Sequence, residues 1–202
     1  MKKVAFDFCF KGERNYVQGP DIYNQLIKCL VEKYLHEPKC FKLSLHRLVR
    51  KNCLLVYGRE NEELNEPENY CANLSFIDKD IFYKGYVIED EKEIYCRYPY
   101  NEEAINKLLE MSSNKVCLLY KSPLSFIETI VAMNKKLHYE ICSREGKWLF
   151  TKLELKKIPK ENTGVGITIK LVKNFKNFMT KSKIYYREKE LGYIYFSLVV
   201  KE

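Results

Sequence analysis

KSPLSFIETIVAMNKKLHYEIC, residues 121–142, is the longest apolar stretch of this 202-residue chain that fits a helix. Ser122 suits the N-cap of such a helix, and Pro123 suits its first turn. Apolar side chains then cover most of the helical circumference, at Phe126, Ile127, Ile130, Val131 and Met133. Because a helix that is apolar on nearly every side is buried on most of them, this one is predicted to lie at the centre of the fold.

A single carboxylate, Glu128, lies inside this apolar run. A buried carboxylate needs a partner or a shifted pKa, and either property is typical of functional sites. Glu128 is therefore the first candidate for a catalytic residue.

The same pattern occurs earlier in the chain. Sliding GPDIYNQLIKCL, residues 19–30, by 103 positions places it on SPLSFIETIVAM and aligns Gln25 with Glu128. In both places a helix that starts near a proline precedes an alternating strand. The repeat predicts an internal duplication with halves at 1–92 and 93–202, joined at the acidic run 89–92.

The remaining segments are predominantly strands. The chain has 16 Tyr and 11 Phe, which together with many Val and Ile favour sheet. Period-2 alternation and turn residues predict strands at 3–10, 41–49, 52–57, 70–77, 81–88, 93–98, 115–120, 148–155, 165–172, 178–187 and 191–199. A short helix is predicted at 101–111. The predicted fold class is α+β.

The central helix resembles that of the hot-dog fold. Phe126–Ala132, FIETIVA, is similar to the helix pattern of 3-hydroxyacyl-carrier-protein dehydratases, which share this fold with acyl thioesterases. The loop at 10–20, FKGERNYVQGP, resembles the glycine-containing loop before that helix. The resemblance implies a tandem, or double, hot-dog in which an antiparallel sheet wraps around two central helices.

The resemblance also implies a site between the halves. Glu128 would be the acid/base catalyst, and Arg14, Asn15 and Tyr16 would line the same cleft from the other half. The family has a His directly after the loop glycine, whereas Gly12 is followed by Glu13. The remaining residues expected to bind substrate are Gly12, Gly19, Asn24, Gln25 and Asn134.

Two functions follow from this resemblance. In the first, the protein is a dehydratase, hydratase or thioesterase that acts on acyl-CoA or an acyl carrier protein. In the second, it is a non-catalytic module that binds an acyl chain or lipid, and Glu128 is half of a structural ion pair with Arg14. Dimerisation of the chain is left open.

The net charge of +8 is unevenly distributed. Residues 1–92 hold 15 basic and 15 acidic side chains, whereas residues 93–202 hold 20 and 12. Such a surface favours an anionic partner, for which coenzyme A or an acidic carrier protein is predicted. Nucleic acid is a third hypothesis, using the face from 147 to 189, and is not expected as the partner. A lysine-rich solvated surface is the alternative interpretation.

The cysteines and histidines give no metal or redox motif. None of the eight cysteines forms C-x-x-C, so they are predicted to be reduced core residues of a cytoplasmic protein. The pair His138 and Cys142 has no third ligand in the sequence, and His36 and His46 lie elsewhere. We predict no metal, no cofactor and no membrane span, since no run approaches about 20 apolar residues.

Overall fold

The computed structural model describes residues 1–33, 38–142, 144–159 and 165–200. The chain forms two compact units, Met1–Asn101 and Glu102–Glu202. Residues 89–92, the predicted junction, belong to the last long strand of the first unit.

The first unit is an antiparallel sheet with one helix. Its elements are β1 (Lys2–Phe6), β2 (Phe10–Lys11), α1 (Gly19–Lys33), β3 (Lys39–Leu45), β4 (Lys51–Arg59), β5 (Tyr70–Asp78), β6 (Ile81–Glu93) and β7 (Arg97–Tyr98). The main sheet has the order β1-β4-β6-β5-β3. A separate parallel pair joins β2 to β7, with Phe10 opposite Arg97.

Spacing along α1 explains how this helix packs. Ile22, Leu26 and Leu30 recur every four residues, so they lie on one face of the helix, and all three are buried. The ring of Tyr23 meets that of Phe41 on β3 edge to face, with centroids 5.7 Å apart. The apolar side of α1 therefore covers one face of the sheet.

The second unit also consists of an antiparallel sheet with one α-helix. Its elements are a 3-10 helix (Glu102–Leu108), β8 (Leu109–Ser112), β9 (Lys115–Leu118), α2 (Phe126–Ile141), β10 (Lys147–Lys157), β11 (Ile167–Phe175), β12 (Met179–Tyr186) and β13 (Lys189–Val199). The strand order is β8-β9-β11-β12-β13-β10. The antiparallel sheets and helices of the two units fit the α+β class.

The two units share an order of elements along the chain but differ in strand order. Starting from the strand before the helix, the order is β1-β4-β6-β5-β3 in the first unit and β9-β11-β12-β13-β10 in the second. In the first unit β6 lies beside β4 and β5 lies beside β3, whereas in the second unit β12 lies beside β11 and β13 lies beside β10. The fourth and fifth long strands of the two units therefore occupy exchanged positions in the sheet. The duplication stays a prediction.

Two helix predictions need correction. Residues 101–111 form a 3-10 helix that ends at Leu108 and then the strand β8. The central helix begins at Phe126 rather than near Ser122, because Ser125 is its N-cap. Pro123 consequently lies before the helix and not in its first turn.

The prediction that all cysteines are reduced is wrong. Cys9 and Cys96 form a disulfide across 87 positions of sequence. The parallel pairing of β2 with β7 brings the two cysteines together, with Cα atoms 4.8 Å apart. No local motif marks this pair, since the contact depends on where the chain returns. Among the described residues the free cysteines are Cys29, Cys40, Cys53, Cys71, Cys117 and Cys142.

In the described part of the chain, no helix is both long and apolar enough to cross a membrane.

Candidate functional site

Glu128 takes part in a capping box at the start of α2. Its Oε2 accepts hydrogen bonds from the Ser125 backbone N–H at 3.1 Å and from the Ser125 hydroxyl at 2.6 Å. The Ser125 Oγ in turn accepts the Glu128 backbone N–H at 3.4 Å. The positive end of the helix dipole and two donors therefore stabilise the ionised carboxylate.

The position of Glu128 differs from the prediction of a carboxylate in the middle of a buried helix. It is the third residue of α2 and is partly exposed. Burial increases one turn later, where Ile130, Met133 and Asn134 are fully buried. A partly exposed carboxylate at a helix end is accessible to a substrate and avoids the penalty of full burial.

A second pair of hydroxyls lies beside the capping box. The Thr129 Oγ1 donates to the Ser122 Oγ at 2.7 Å, and both side chains are buried. The Ser122 Oγ also accepts the Leu124 backbone N–H at 3.1 Å. Ser122 thus holds the turn before α2 instead of capping the helix.

Replacing Ser125 by Ala is expected to lower the free energy of unfolding by about 1 kcal/mol, because an N-cap hydroxyl and its two hydrogen bonds are lost. Urea unfolding followed by circular dichroism measures the change. Ser112→Ala, on the exposed end of β8, is the matched control and is expected to be neutral. Equal stability of the two variants would contradict the capping role.

In the first unit, the loop between β2 and α1 is organised around a buried ion pair. The Lys11 Nζ lies 2.5 Å from the Asp21 Oδ1, with side chains 4% and 14% exposed. The Lys11 Nζ also lies 4.9 Å from the centre of the Tyr100 ring and 5.7 Å from that of Tyr98. A buried lysine requires such partners, and they fix the start of the loop.

Arg97 holds the middle of this loop. Its Nη1 donates to the carbonyl oxygen of Gly12, and to that of Arg14 at 2.9 Å. Gly12 has a φ of +56°, a left-handed conformation that glycine adopts without steric strain. The Arg14 guanidinium lies 6.0 Å from the Tyr100 ring centre. The loop that carries the predicted site residues therefore has a defined shape.

The predicted residues of the first unit have unequal environments. Asn15 is exposed, whereas Arg14 and Tyr16 are partly buried. Asn24 and Gln25 lie half-buried in α1. Gly19 is the first residue of α1. That these residues and Glu128 face one substrate stays a prediction.

The two helices do not begin at positions related by the offset of the sequence repeat. Asp21 is the third residue of α1 and Glu128 the third residue of α2. The offset that aligns the helix starts is 107, and not the 103 that pairs Gln25 with Glu128. Each helix thus carries one acidic residue in its first turn, Asp21 in α1 and Glu128 in α2.

Asn134, which was predicted to bind substrate, lies in a buried polar cluster of the second unit. Its side chain is fully buried, and no hydrogen-bond partner for the amide is found among the described residues. Its backbone carbonyl accepts the Nδ1–H of His138. The Nε2 of His138 then accepts the Thr180 hydroxyl at 2.5 Å.

Both ring nitrogens of His138 form hydrogen bonds inside the second unit. The side chain is fully buried, and desolvation lowers its pKa to about 4. Near β3, His46 contacts Asn73 at 3.1 Å and is exposed. His36 lies outside the described residues. No group of three potential metal ligands occurs in the described ranges.

Sequence reasoning missed Lys11, Ser125 and Arg97. The spacing Ser125-x-x-Glu128 is a capping-box signature and could have been recognised. The contacts of Lys11 and Arg97 have no such signal, because β7 reaches the loop only through the tertiary fold.

Comparison with known proteins supports the fold. No family model matches the sequence, and no curated protein matches it in sequence either. In structure the chain is similar to a putative thioesterase II from Thermobifida fusca, with a TM-score of 0.51, 9% identity and coverage of 98% of this chain and 92% of that one. It is also similar to the tesB protein of Mycobacterium avium subs paratuberculosis, with a TM-score of 0.51, 8% identity and coverage of 96% and 91%.

These similarities define the class of fold. Both structures belong to the hot-dog class, and a likeness over nearly the whole of each chain shows that this protein has that fold. The resemblance predicted from FIETIVA is confirmed at this level. At 8–9% identity the comparison concerns the fold and not the reaction.

Proposed function

We propose that this protein hydrolyses an acyl thioester, with Glu128 as the general base. The observation that supports it most directly is a partly exposed carboxylate held by Ser125 at the first turn of α2, in a fold shared with thioesterases. Dehydration has less support, because no histidine follows Gly12 and the buried His138 is engaged by Asn134 and Thr180.

The proposed reaction has two steps. The Glu128 carboxylate accepts a proton from water while the water oxygen bonds to the thioester carbonyl carbon. The tetrahedral intermediate then expels the thiolate as the carbon–sulfur bond breaks, and Glu128 returns its proton to the sulfur. The products are a carboxylic acid and a free thiol.

Two groups are proposed to stabilise the oxyanion. Phe126 and Ile127 occupy the first turn of α2, where backbone N–H groups have no partner within the helix. Arg14, from the loop before α1, is the second candidate for the carbonyl oxygen, with Asn15 and Tyr16 lining the same cleft. This arrangement requires the tandem hot-dog that the sequence repeat predicts, with Gly12, Gly19, Asn24, Gln25 and Asn134 along the acyl chain.

Acyl-CoA or an acyl carrier protein is the proposed substrate. The excess of positive charge lies entirely beyond residue 92 and suits the phosphates of coenzyme A or the acidic surface of a carrier. Such thioesters occur in the cytoplasm, which is the proposed location of the protein.

Glu128→Gln is the decisive variant. Glutamine can keep the capping box but cannot accept a proton, so stability is expected to change little while kcat falls at least about 100-fold. Thiol release from acyl-CoA of increasing chain length measures the activity. Ser112→Ala is the control for an innocuous change. Full activity of Glu128→Gln would exclude Glu128 as the base.

The capping box favours a second candidate, a non-catalytic acyl-binding module. A carboxylate already used to cap α2 has a structural role that needs no chemistry. Native mass spectrometry of the purified chain distinguishes the two proposals. A retained acyl ligand, with no thiol release from any acyl-CoA, would support the binding module.

A further inference from the structure

The outer face of the second unit's sheet carries rows of lysines and tyrosines. Along β12 and β13, buried residues alternate with partly exposed ones, so every second side chain points away from α2. The members of this lysine–tyrosine face are Lys115, Lys170, Lys173, Lys181, Lys183, Tyr185, Tyr193 and Tyr195.

The strand register places lysines directly opposite one another. Lys115 on β9 pairs with Lys170 on β11, and Lys170 pairs with Lys183 on β12. Lys173 pairs with Lys181 on the same two central strands. Like charges at directly opposed positions destabilise a sheet, so these three pairs do not serve folding.

The carboxylates on this face leave part of the charge uncompensated. Glu190 lies 2.9 Å from the Lys183 Nζ, and Glu154 lies 2.7 Å from that of Lys152. Among the described residues no carboxylate forms an ion pair with the remaining lysines of the face, which are Lys115, Lys170, Lys173 and Lys181. Lys181 interacts at longer range with Glu154, which is already paired with Lys152, so the charge of these four lysines is only partly balanced and favours an anionic ligand.

Tyrosine rings lie directly beside these cations. The Lys181 Nζ lies 3.8 Å from the centre of the Tyr193 ring and 5.2 Å from that of Tyr195. The Lys183 Nζ lies 5.4 Å from the Tyr193 ring centre and 5.9 Å from that of Tyr185. All three rings are partly exposed. An acidic polypeptide would interact with the lysines alone, so the exposed tyrosines would have no role in binding it.

We infer that the lysine–tyrosine face binds single-stranded nucleic acid. Cations that follow a phosphate backbone, next to aromatic rings on which bases stack, are the combination used by proteins that bind single strands without sequence preference. A base stacked on Tyr193 would free Lys181 to contact a phosphate. The sequence did not favour this partner, because lysines and aromatic residues that alternate along strands usually form one core face and one amphipathic surface. The register adds that the lysines lie directly opposite one another.

Fluorescence anisotropy with fluorescein-labelled oligo-dT and oligo-rU of 20 nucleotides tests the inference. Three or more phosphate contacts predict a slope of about −2 or steeper in log K against log salt. Affinity is then expected to fall at least about 40-fold between 50 and 300 mM NaCl. No binding at 50 mM NaCl would overturn the inference. Binding is measured without turnover, so the result is independent of thioester hydrolysis.

The lysines are tested by a triple variant, Lys170→Gln, Lys173→Gln and Lys181→Gln. The slope of log K against log salt is expected to become shallower by about two units. The variant is expected to melt no lower than the parent, since all three opposed lysine pairs are removed. The control triple, with the same change in net charge, is Lys107→Gln, Lys136→Gln and Lys157→Gln on other surfaces of the unit. An equal loss in the control triple would overturn the inference.

The tyrosines distinguish nucleic acid from an acidic protein. Tyr185→Leu with Tyr193→Leu is expected to weaken oligonucleotide binding at least fivefold with an unchanged salt slope, because stacking is lost and charge is not. Polyglutamate is the competing probe. Unchanged oligonucleotide affinity in this double variant, with polyglutamate as the tighter ligand, would overturn the inference in favour of an acidic protein partner.

Discussion

Replacing Cys9 and Cys96 by serine is expected to lower the free energy of unfolding of the first unit by about 4 kcal/mol. The disulfide joins residues 87 positions apart, and a cross-link over a loop of that length strongly restricts the unfolded chain. Its loss also frees β2 and β7, whose pairing positions the loop with Gly12 and Arg14. Hydrogen exchange read peptide by peptide measures the first unit separately from the second.

Cys40→Ser is the matched control for this disulfide, since Cys40 is exposed and free. The same loss of protection is expected when the parent protein is treated with dithiothreitol. Alkylation of the unfolded protein in denaturant, without reduction, should label six of the eight cysteines. Labelling of all eight, or identical protection in both serine variants, would contradict a stabilising disulfide.

Lowering the pH from 7 to 4.5 is expected to destabilise the second unit by roughly 2–3 kcal/mol through His138 alone. Burial lowers the pKa of His138 to about 4 in the folded protein, against an ordinary value near 6.5. At a pH between these two pKa values, the His138 imidazole binds a proton in the unfolded chain but stays neutral in the folded chain. The contribution of neutral His138 to the free energy of unfolding is therefore fully present above pH 6.5 and is lost as the pH falls towards 4.

Trp148 offers a direct probe of this effect. It is the single tryptophan of the chain, and its ring centre lies 4.5 Å from that of His138. Urea unfolding followed by Trp148 fluorescence should show a smaller pH dependence in His138→Gln than in the parent. The exposed His46 provides the control, His46→Gln, whose pH dependence is expected to match the parent.

A second measurement covers the case in which His138→Gln does not fold. Nuclear magnetic resonance of the labelled imidazoles in the parent protein follows each histidine directly. The His138 ring is expected to stay neutral at pH 5, with the proton on Nδ1, where the Asn134 carbonyl accepts it. An imidazolium signal from His138 at pH 6 would contradict the prediction.

The candidate site shows how far local sequence reasoning extends. FIETIVA predicted a helix and singled out Glu128 as its one charged residue, since apolar spacing and an unusual charge are local features. The predicted helix start was three to four residues early, because Ser122 and Ser125 both suit an N-cap and only the backbone of the turn selects Ser125. The pairing of Gln25 with Glu128 stays a prediction, although the two residues lie at different distances from their helix starts.

Sequence by itself determined the α+β class, most strands and the apolar faces of α1 and α2, because period and composition act over a few neighbouring residues. Tertiary structure alone decided the Cys9–Cys96 bond, the Lys11–Asp21 pair and the lysine rows on one face of the second sheet. Each of these depends on which strand lies beside which, and in what register. A shift of one residue in pairing would turn Lys181 and Lys183 to the opposite face. The helix Phe126–Ile141 could therefore be predicted from the sequence, whereas these long-range pairs could not.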